Sequence, residues 1–161
     1  MYDRLENPLS PSTFRAALNL LGFRYEQVAD DLDVGLKTVE GWTKKSTPSQ
    51  RAREYVQMWL DRVDGDITAL VNEAVSEVED GAGFVVLVTA WSGAGLKLLD
   101  ERFRGYPATV HMAMVGRVFG ELNARRVPCR VEYVERQGLD SRQGEPELRF
   151  VEVEDEADVV G

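Results

Sequence analysis

In the first third of the chain, apolar residues recur every three or four positions. Phe14, Ala17, Leu18 and Leu21 predict a first helix. Ser10 can cap it, Pro11 suits its first turn, and Gly22 can end it. A second short helix over 25–32 presents Val28, Ala29 and Leu32 to a core, and Asp33-Val34-Gly35 reads as a tight turn. A third helix over 36–45 buries Val39 and Trp42. Thr47-Pro48 reads as the cap and first turn of a fourth. That helix is long: Ala52, Tyr55, Val56, Trp59, Leu60, Val63, Ile67, Leu70, Val71, Ala74 and Val78 keep helical spacing up to Gly81. Gly65 alone interrupts it, and a kink or a domain joint is expected there. The stripe is more apolar than a solitary surface helix requires, so part of it is expected to pack on another subunit.

Beyond Gly81-Ala82-Gly83 the period changes. FVVLVTAW, 84–91, reads as a buried strand. A short helix is expected over 95–104. A clear helix follows over 107–125, with Val110, Met114, Val115, Val118, Phe119 and Leu122 on one side. PCRVEYVE, 128–135, alternates and predicts a strand. Residues 137–146 read as a polar loop, 148–153 as the second strand of a hairpin, and 154–161 as an acidic, disordered tail.

At 161 residues, 43% of them hydrophobic, the chain can build a real core in one domain or two small ones. The single cysteine, Cys129, excludes an intrachain disulfide framework, and with one histidine, His111, a zinc finger made by one chain is excluded too. The N-terminus has no basic segment followed by an apolar one, and the longest apolar run, 84–91, is too short to span a bilayer. The expectation is a soluble cytoplasmic protein with no membrane association.

Net charge is −9, but it is unevenly spread. Residues 1–63 are neutral, with nine Lys/Arg and nine Asp/Glu, whereas 64–161 hold ten and nineteen. Within 36–53 five basic residues, Lys37, Lys44, Lys45, Arg51 and Arg53, face one acidic residue, Glu40. Surface charges are screened beyond roughly 8–10 Å at physiological salt, so this local sign matters more than the total.

The same segment carries a helix-turn-helix pattern. Two short helices crossing at a fixed angle leave the second free to enter a major groove. A small residue early in the first helix permits close approach (Ala29). Apolar residues on either side of the turn lock the angle (Leu32 and Val34), and a β-branched residue anchors the reading helix (Val39), with Trp42 one turn on. Over 11–60 the chain resembles the Cro/repressor-like (XRE) helix-turn-helix family, on Val28-Ala29, Leu32-Asp33-Val34, Thr38-Val39, Trp42 and Pro48. It departs at Tyr25, where the family often has a phosphate-binding glutamine, at Asp33 for a frequent glycine, and at Thr43 for a frequent glutamate.

The resemblance implies base-reading positions at Leu36, Lys37, Glu40, Gly41 and Lys44. Lys37 can donate to guanine O6/N7, Glu40 can accept from cytosine N4, and Leu36 can touch a thymine methyl, while Gly41 permits close approach and reads nothing. Thr38, Lys45, Arg51 and Arg53 are expected on phosphates, where contacts position without specifying. In overall layout, including YPATVHMAMVGRVFGELNARRV, the chain looks like the YdiL-like and anti-CRISPR-associated (Aca) autoregulators, and this implies dimerisation through the C-terminal part.

The predicted fold is therefore α+β, mostly α: a helix-turn-helix DNA-binding domain over 1–65, a long connecting helix, a small α/β dimerisation domain over 66–153, and the tail. The predicted function is a sequence-specific transcriptional regulator without cofactors. It is expected to be a homodimeric (auto)repressor of a phage or mobile-element operon, binding an inverted repeat in double-stranded DNA. Two alternatives remain: an antitoxin whose C-terminal part binds a toxin, and a helix-turn-helix used only for protein contacts. Nothing in the sequence supports catalysis. Gly93-Ala94-Gly95 after the first strand imitates a dinucleotide-binding turn, but Leu98 stands at the third glycine and no series of parallel strands is evident. Asp100, Glu101, Arg102 and Arg104 read as a solvated face, His111 as structural, and Cys129 as a small buried residue.

Overall fold

The computed structural model describes residues 9–137 and 148–151. The fold is α+β and mostly α. Its elements are α1 (Pro11–Leu21), α2 (Tyr25–Leu32), α3 (Leu36–Trp42), α4 (Gln50–Glu79), β1 (Phe84–Thr89), α5 (Gly93–Leu96), α6 (Ala108–Ala124), β2 (Cys129–Tyr133) and β3 (Leu148–Val151), with short 3₁₀ turns at Glu101–Phe103 and Val134–Gln137. Two compact units divide the chain between Asp66 and Ile67. Among the described residues, no helix is long and apolar enough to cross a membrane.

The first unit is built by its caps. The Ser10 hydroxyl accepts the Thr13 amide at 3.2 Å, Pro11 opens α1, and Gly22 ends it at φ 79°, where the left-handed region suits a residue without Cβ. Phe14, Leu18 and Leu21 of α1, Val28 and Leu32 of α2, and Val39 of α3 are buried together with Ala52, Val56, Trp59 and Val63 of α4. Phe23, between α1 and α2, sets its ring 5.6 Å from Tyr55 and 5.3 Å from Trp59. The Tyr55 hydroxyl donates to Asp31 at 2.6 Å; burial, then this carboxylate, push its pKa well above the ordinary tyrosine value.

The second unit places β1 at the centre of a three-stranded sheet of order β2-β1-β3. β1 runs parallel to β2, with Val85 opposite Cys129 and Thr89 opposite Tyr133, and antiparallel to β3, with Phe84 opposite Val151. The hairpin expected between 128–135 and 148–153 is thus replaced by two separate pairings with β1. The physical reason lies in β1 itself: Val85, Val86, Leu87, Val88 and Thr89 are all buried, as befits a strand covered on both faces with a neighbour on each edge. α6 is the crossover between the parallel strands, and parallel strands need such a connection.

Other boundaries move. α3 stops at Trp42 rather than 45, because the amides of Lys44, Lys45 and Ser46 all turn back to the Gly41 carbonyl, at 3.1, 2.8 and 2.9 Å. α4 begins at Gln50 with Ser49, not Thr47, as its cap; the Ser49 hydroxyl accepts the Ala52 amide at 3.2 Å. The helix expected over 95–104 is only α5 and a 3₁₀ turn, capped by Ser92 and Asp100. Phe119 is 39% exposed, at the edge of the buried face of α6 rather than in the core. Cys129 is half-buried rather than buried, and burial raises its thiol pKa. Of the expected polar loop only Gln137 is described, as the end of a 3₁₀ turn; the remainder of that loop, 152–153 and the acidic tail lie outside the described residues.

The α4 stripe is used within the chain. Its residues up to Val63 are buried in the first unit, and Ile67, Leu70, Val71 and Ala74 are buried in the second. One helix thus supplies two cores. The helix continues through Gly65.

His111, on α6, is fully buried, 2.9 Å from the Thr89 hydroxyl and edge-on to the rings of Phe103 and Tyr106. Loss of hydration disfavours its charged form and pushes its pKa down to about 4. The folded value lies below the unfolded one, so the contribution to stability is fully present above pH 6.5 and is lost as pH falls from there through about 4. Over that window the fold is expected to lose about 3 kcal/mol from this group, at 1.36 kcal/mol per pKa unit. Urea titrations at pH 7 and pH 4 of the wild type and His111→Gln test it: the gap between the two proteins should narrow by that amount at the lower pH.

Candidate nucleic-acid interface

The turn between α2 and α3 fixes how α3 is presented. Asp33 ends α2 at φ 53° and lets the Val34 amide donate to the Ala29 carbonyl at 3.0 Å. A left-handed residue is what this turn requires; glycine meets the need most cheaply, and aspartate is among the few side chains that tolerate it. The departure at Asp33 therefore leaves the turn geometry intact. Gly35 then starts α3 in an extended conformation.

Beneath α3 lies a packed floor. Val39 is fully buried and Trp42 nearly so, and the Trp42 ring meets Phe14 of α1 edge-on at 6.0 Å. The second departure, Thr43, is also buried; its hydroxyl donates to the Glu40 carbonyl at 2.8 Å and closes the C-terminal end of α3.

Above the floor, Leu36, Lys37 and Thr38 are exposed on the first turn of α3, and Glu40 and Gly41 are half-exposed. Lys44 and Lys45 are exposed but stand in the turn that follows the helix, not on it. Arg51 is exposed and Arg53 half-buried, both in the first turn of α4. That turn has no acidic residue, so its two cations sit at the positive end of the helix dipole, where they cost stability unless an outside anion faces them. Gly41 has room for a methyl group, the nearest atom being the Ser46 hydroxyl oxygen at 3.8 Å, so the fold itself does not demand glycine there.

The cations of the two units are used differently. In the second unit Arg102, Arg104, Arg125 and Arg130 pair with Glu73, Glu101, Glu121 and Glu132 at 2.8–3.6 Å. Among the described residues, none of Lys37, Lys44, Lys45, Arg51 and Arg53 is held in an ion pair. Arg24, the residue before α2, is also exposed and was not among the positions drawn from the spacing. Its only signal is a cation standing one residue before the half-exposed Tyr25.

The glycine turn after β1 is closed from inside. One carboxylate oxygen of Glu135 accepts from the Trp91 amide at 3.0 Å, the Ser92 amide at 3.1 Å and the Ser92 hydroxyl at 3.0 Å. A methyl group at Gly95 would collide with that carboxylate. β1 and β2 form one parallel pair rather than a series, and these donors are taken. Among the described residues, no group of three or more His, Cys, Asp or Glu stands together to hold a metal ion.

Compared with protein-family models, curated proteins and solved structures, the chain matches none of them.

Proposed function

We propose that this chain is a sequence-specific DNA-binding transcriptional regulator, a dimeric repressor of its own operon in a phage or other mobile element, reading an inverted repeat. The observation that carries the reading is the set of five cations in α3, the turn after it and the start of α4 that are held in no ion pair among the described residues, on a unit whose buried side chains hold α3 outward. Unneutralised cations on one face raise the local potential and attract a polyanion. Lys37, Glu40 and Lys44 are assigned to base edges, with Leu36 beside them; Thr38, Lys45, Arg51 and Arg53 are assigned to phosphates. One reading helix makes too few contacts for affinities of roughly 10⁻⁸–10⁻¹¹ M, and a symmetric dimer doubles them.

The test is a gel shift on the DNA upstream of the protein's own gene, across a salt series. Three cationic phosphate contacts in each of two protomers give an expected loss of about 10³-fold in affinity between 50 and 200 mM salt. No retarded band at low salt, or retardation indifferent to salt, overturns the reading.

A further inference from the structure

One carboxylate stands among the five cations of the candidate interface. Glu40 is half-exposed on α3. Lys37 precedes it by one turn, a separation at which a helix brings opposite charges together, and Lys44 follows in the turn after the helix. Among the described residues Glu40 is held in an ion pair with neither; its bond to the end of α3 comes from its main-chain carbonyl, which accepts the Thr43 hydroxyl. A carboxylate on a surface that faces phosphates weakens binding to every duplex. The loss is recovered only where a base edge donates to it. In the major groove cytosine N4 and adenine N6 donate, whereas guanine and thymine present acceptors. Adenine also sets its N7 acceptor beside N6; cytosine has no acceptor of its own there.

We propose that Glu40 and Lys37 read the two bases of a single C·G pair in each half-site, and that Glu40 acts chiefly by exclusion. The inference rests on the regulator reading above and deepens it. The carboxylate accepts from cytosine N4, and the Lys37 ammonium donates to O6 and N7 of the guanine paired with that cytosine. N4 and O6 are partners in one base pair, so the two edges lie side by side, as the two side chains do one turn apart on α3. A guanine or thymine facing Glu40 sets an acceptor against a desolvated carboxylate, and adenine offers N6 only with N7 beside it. An unpaired charge of that kind rejects the wrong partner. Gly41, next in the chain and not demanded by packing in the protomer, keeps side-chain bulk out of the way of so short a reach. Lys45, Arg51 and Arg53 supply affinity without regard to sequence; Glu40 subtracts from it wherever the sequence is wrong.

The test begins with selection of duplexes by the full chain from a randomised pool and continues with chemically altered versions of the selected site. A C·G pair should be fixed at one position of each half-site. Replacing its cytosine by 2-pyrimidinone, which lacks the N4 amino group, in both half-sites should weaken the wild type at least about 25-fold, a factor of roughly five for each lost contact. The same replacement should leave Glu40→Ala indifferent, and 7-deazaguanine in the opposite strand should weaken the wild type but not Lys37→Met. On a duplex of unrelated sequence Glu40→Ala and Glu40→Gln should bind about fivefold more tightly than the wild type, each having one repelling charge fewer per protomer. Their melting should match the wild type, because among the described residues the carboxylate has no ion pair to lose. A wild type indifferent to the amino group, or glutamate variants that gain nothing on unrelated DNA, overturns the exclusion, and the first of these needs no variant protein. Cytosine and guanine contacts that fall in different pairs overturn the single-pair contact. A protein that selects an inverted repeat without this pair refutes the inference and leaves the regulator reading; one that selects no sequence and retards no duplex refutes both.

Discussion

Protein carrying Lys37→Glu and Lys44→Glu together is expected to lose at least about 10³-fold in operator affinity. A side chain reading a base edge contributes roughly 1–3 kcal/mol of discrimination. Two lysines in each of two protomers, at the lower figure, amount to about 4 kcal/mol, and 1.4 kcal/mol is a factor of ten. Reversing the sign adds repulsion from nearby phosphates, so this is a lower bound. Both side chains are exposed and have no ionic partner among the described residues, so folding has nothing to lose; the stability change should stay within about 0.5 kcal/mol. Fluorescence anisotropy with a labelled operator measures the affinity, and a melting curve on the same sample checks the fold. A double variant that binds like the wild type removes α3 from the DNA and favours a helix-turn-helix that grips protein instead.

The second large effect is on stability and comes from a residue that touches no ligand. Phe14→Ala should cost about 3–5 kcal/mol, the usual range for truncating a buried phenylalanine. Phe14 has no exposed surface, and its ring supports Trp42, on the buried side of the proposed reading helix. With domains stable by only 5–15 kcal/mol in general, this is a large share of what the first unit has. Chemical denaturation followed by tryptophan fluorescence gives the number. Operator affinity should fall with it, because the angle of α3 is set by that floor. A loss under about 1 kcal/mol means that the ring is not the support described.

Much of the first unit was legible in the sequence because caps are local. Ser10, Pro11 and Gly22 act through atoms within four residues of themselves, and each does what its position predicts. The end of α3 was not legible. Lys44-Lys45-Ser46 has adequate helix propensity, and only the folded chain gathers its amides on the Gly41 carbonyl. Thr43 stands out by sequence as a replaced glutamate; its burial and its bond to the Glu40 carbonyl appear only with the turn in place. In the second unit, alternation in 128–135 and 148–153 announces strands but is silent on partners. The informative signal was the unbroken apolar run of β1, which marks a central strand and argues against a terminal hairpin. Phe119 stands at the edge of the arc that Val110, Met114, Val115, Val118 and Leu122 define, where a period of 3.6 does not decide burial. Exposure at Leu36, Lys37, Thr38, Lys44, Lys45 and Arg51 follows from charge, polarity and the motif; the absence of ion pairs at the basic positions among the described residues requires the fold.

The bond set around Glu135 gives the glycine turn after β1 a role of its own. Bare amides and a missing Cβ are what a phosphate seeks, and here they receive the chain's own anion from more than forty residues downstream. The turn thereby becomes a clasp: it fastens the residues just past the end of β2 to those just past β1 and holds shut the long excursion through α6. Closing so long a loop is entropically costly, and the cost grows only slowly with length. A single buckle at its mouth is thus an economical way to keep two parallel strands in register.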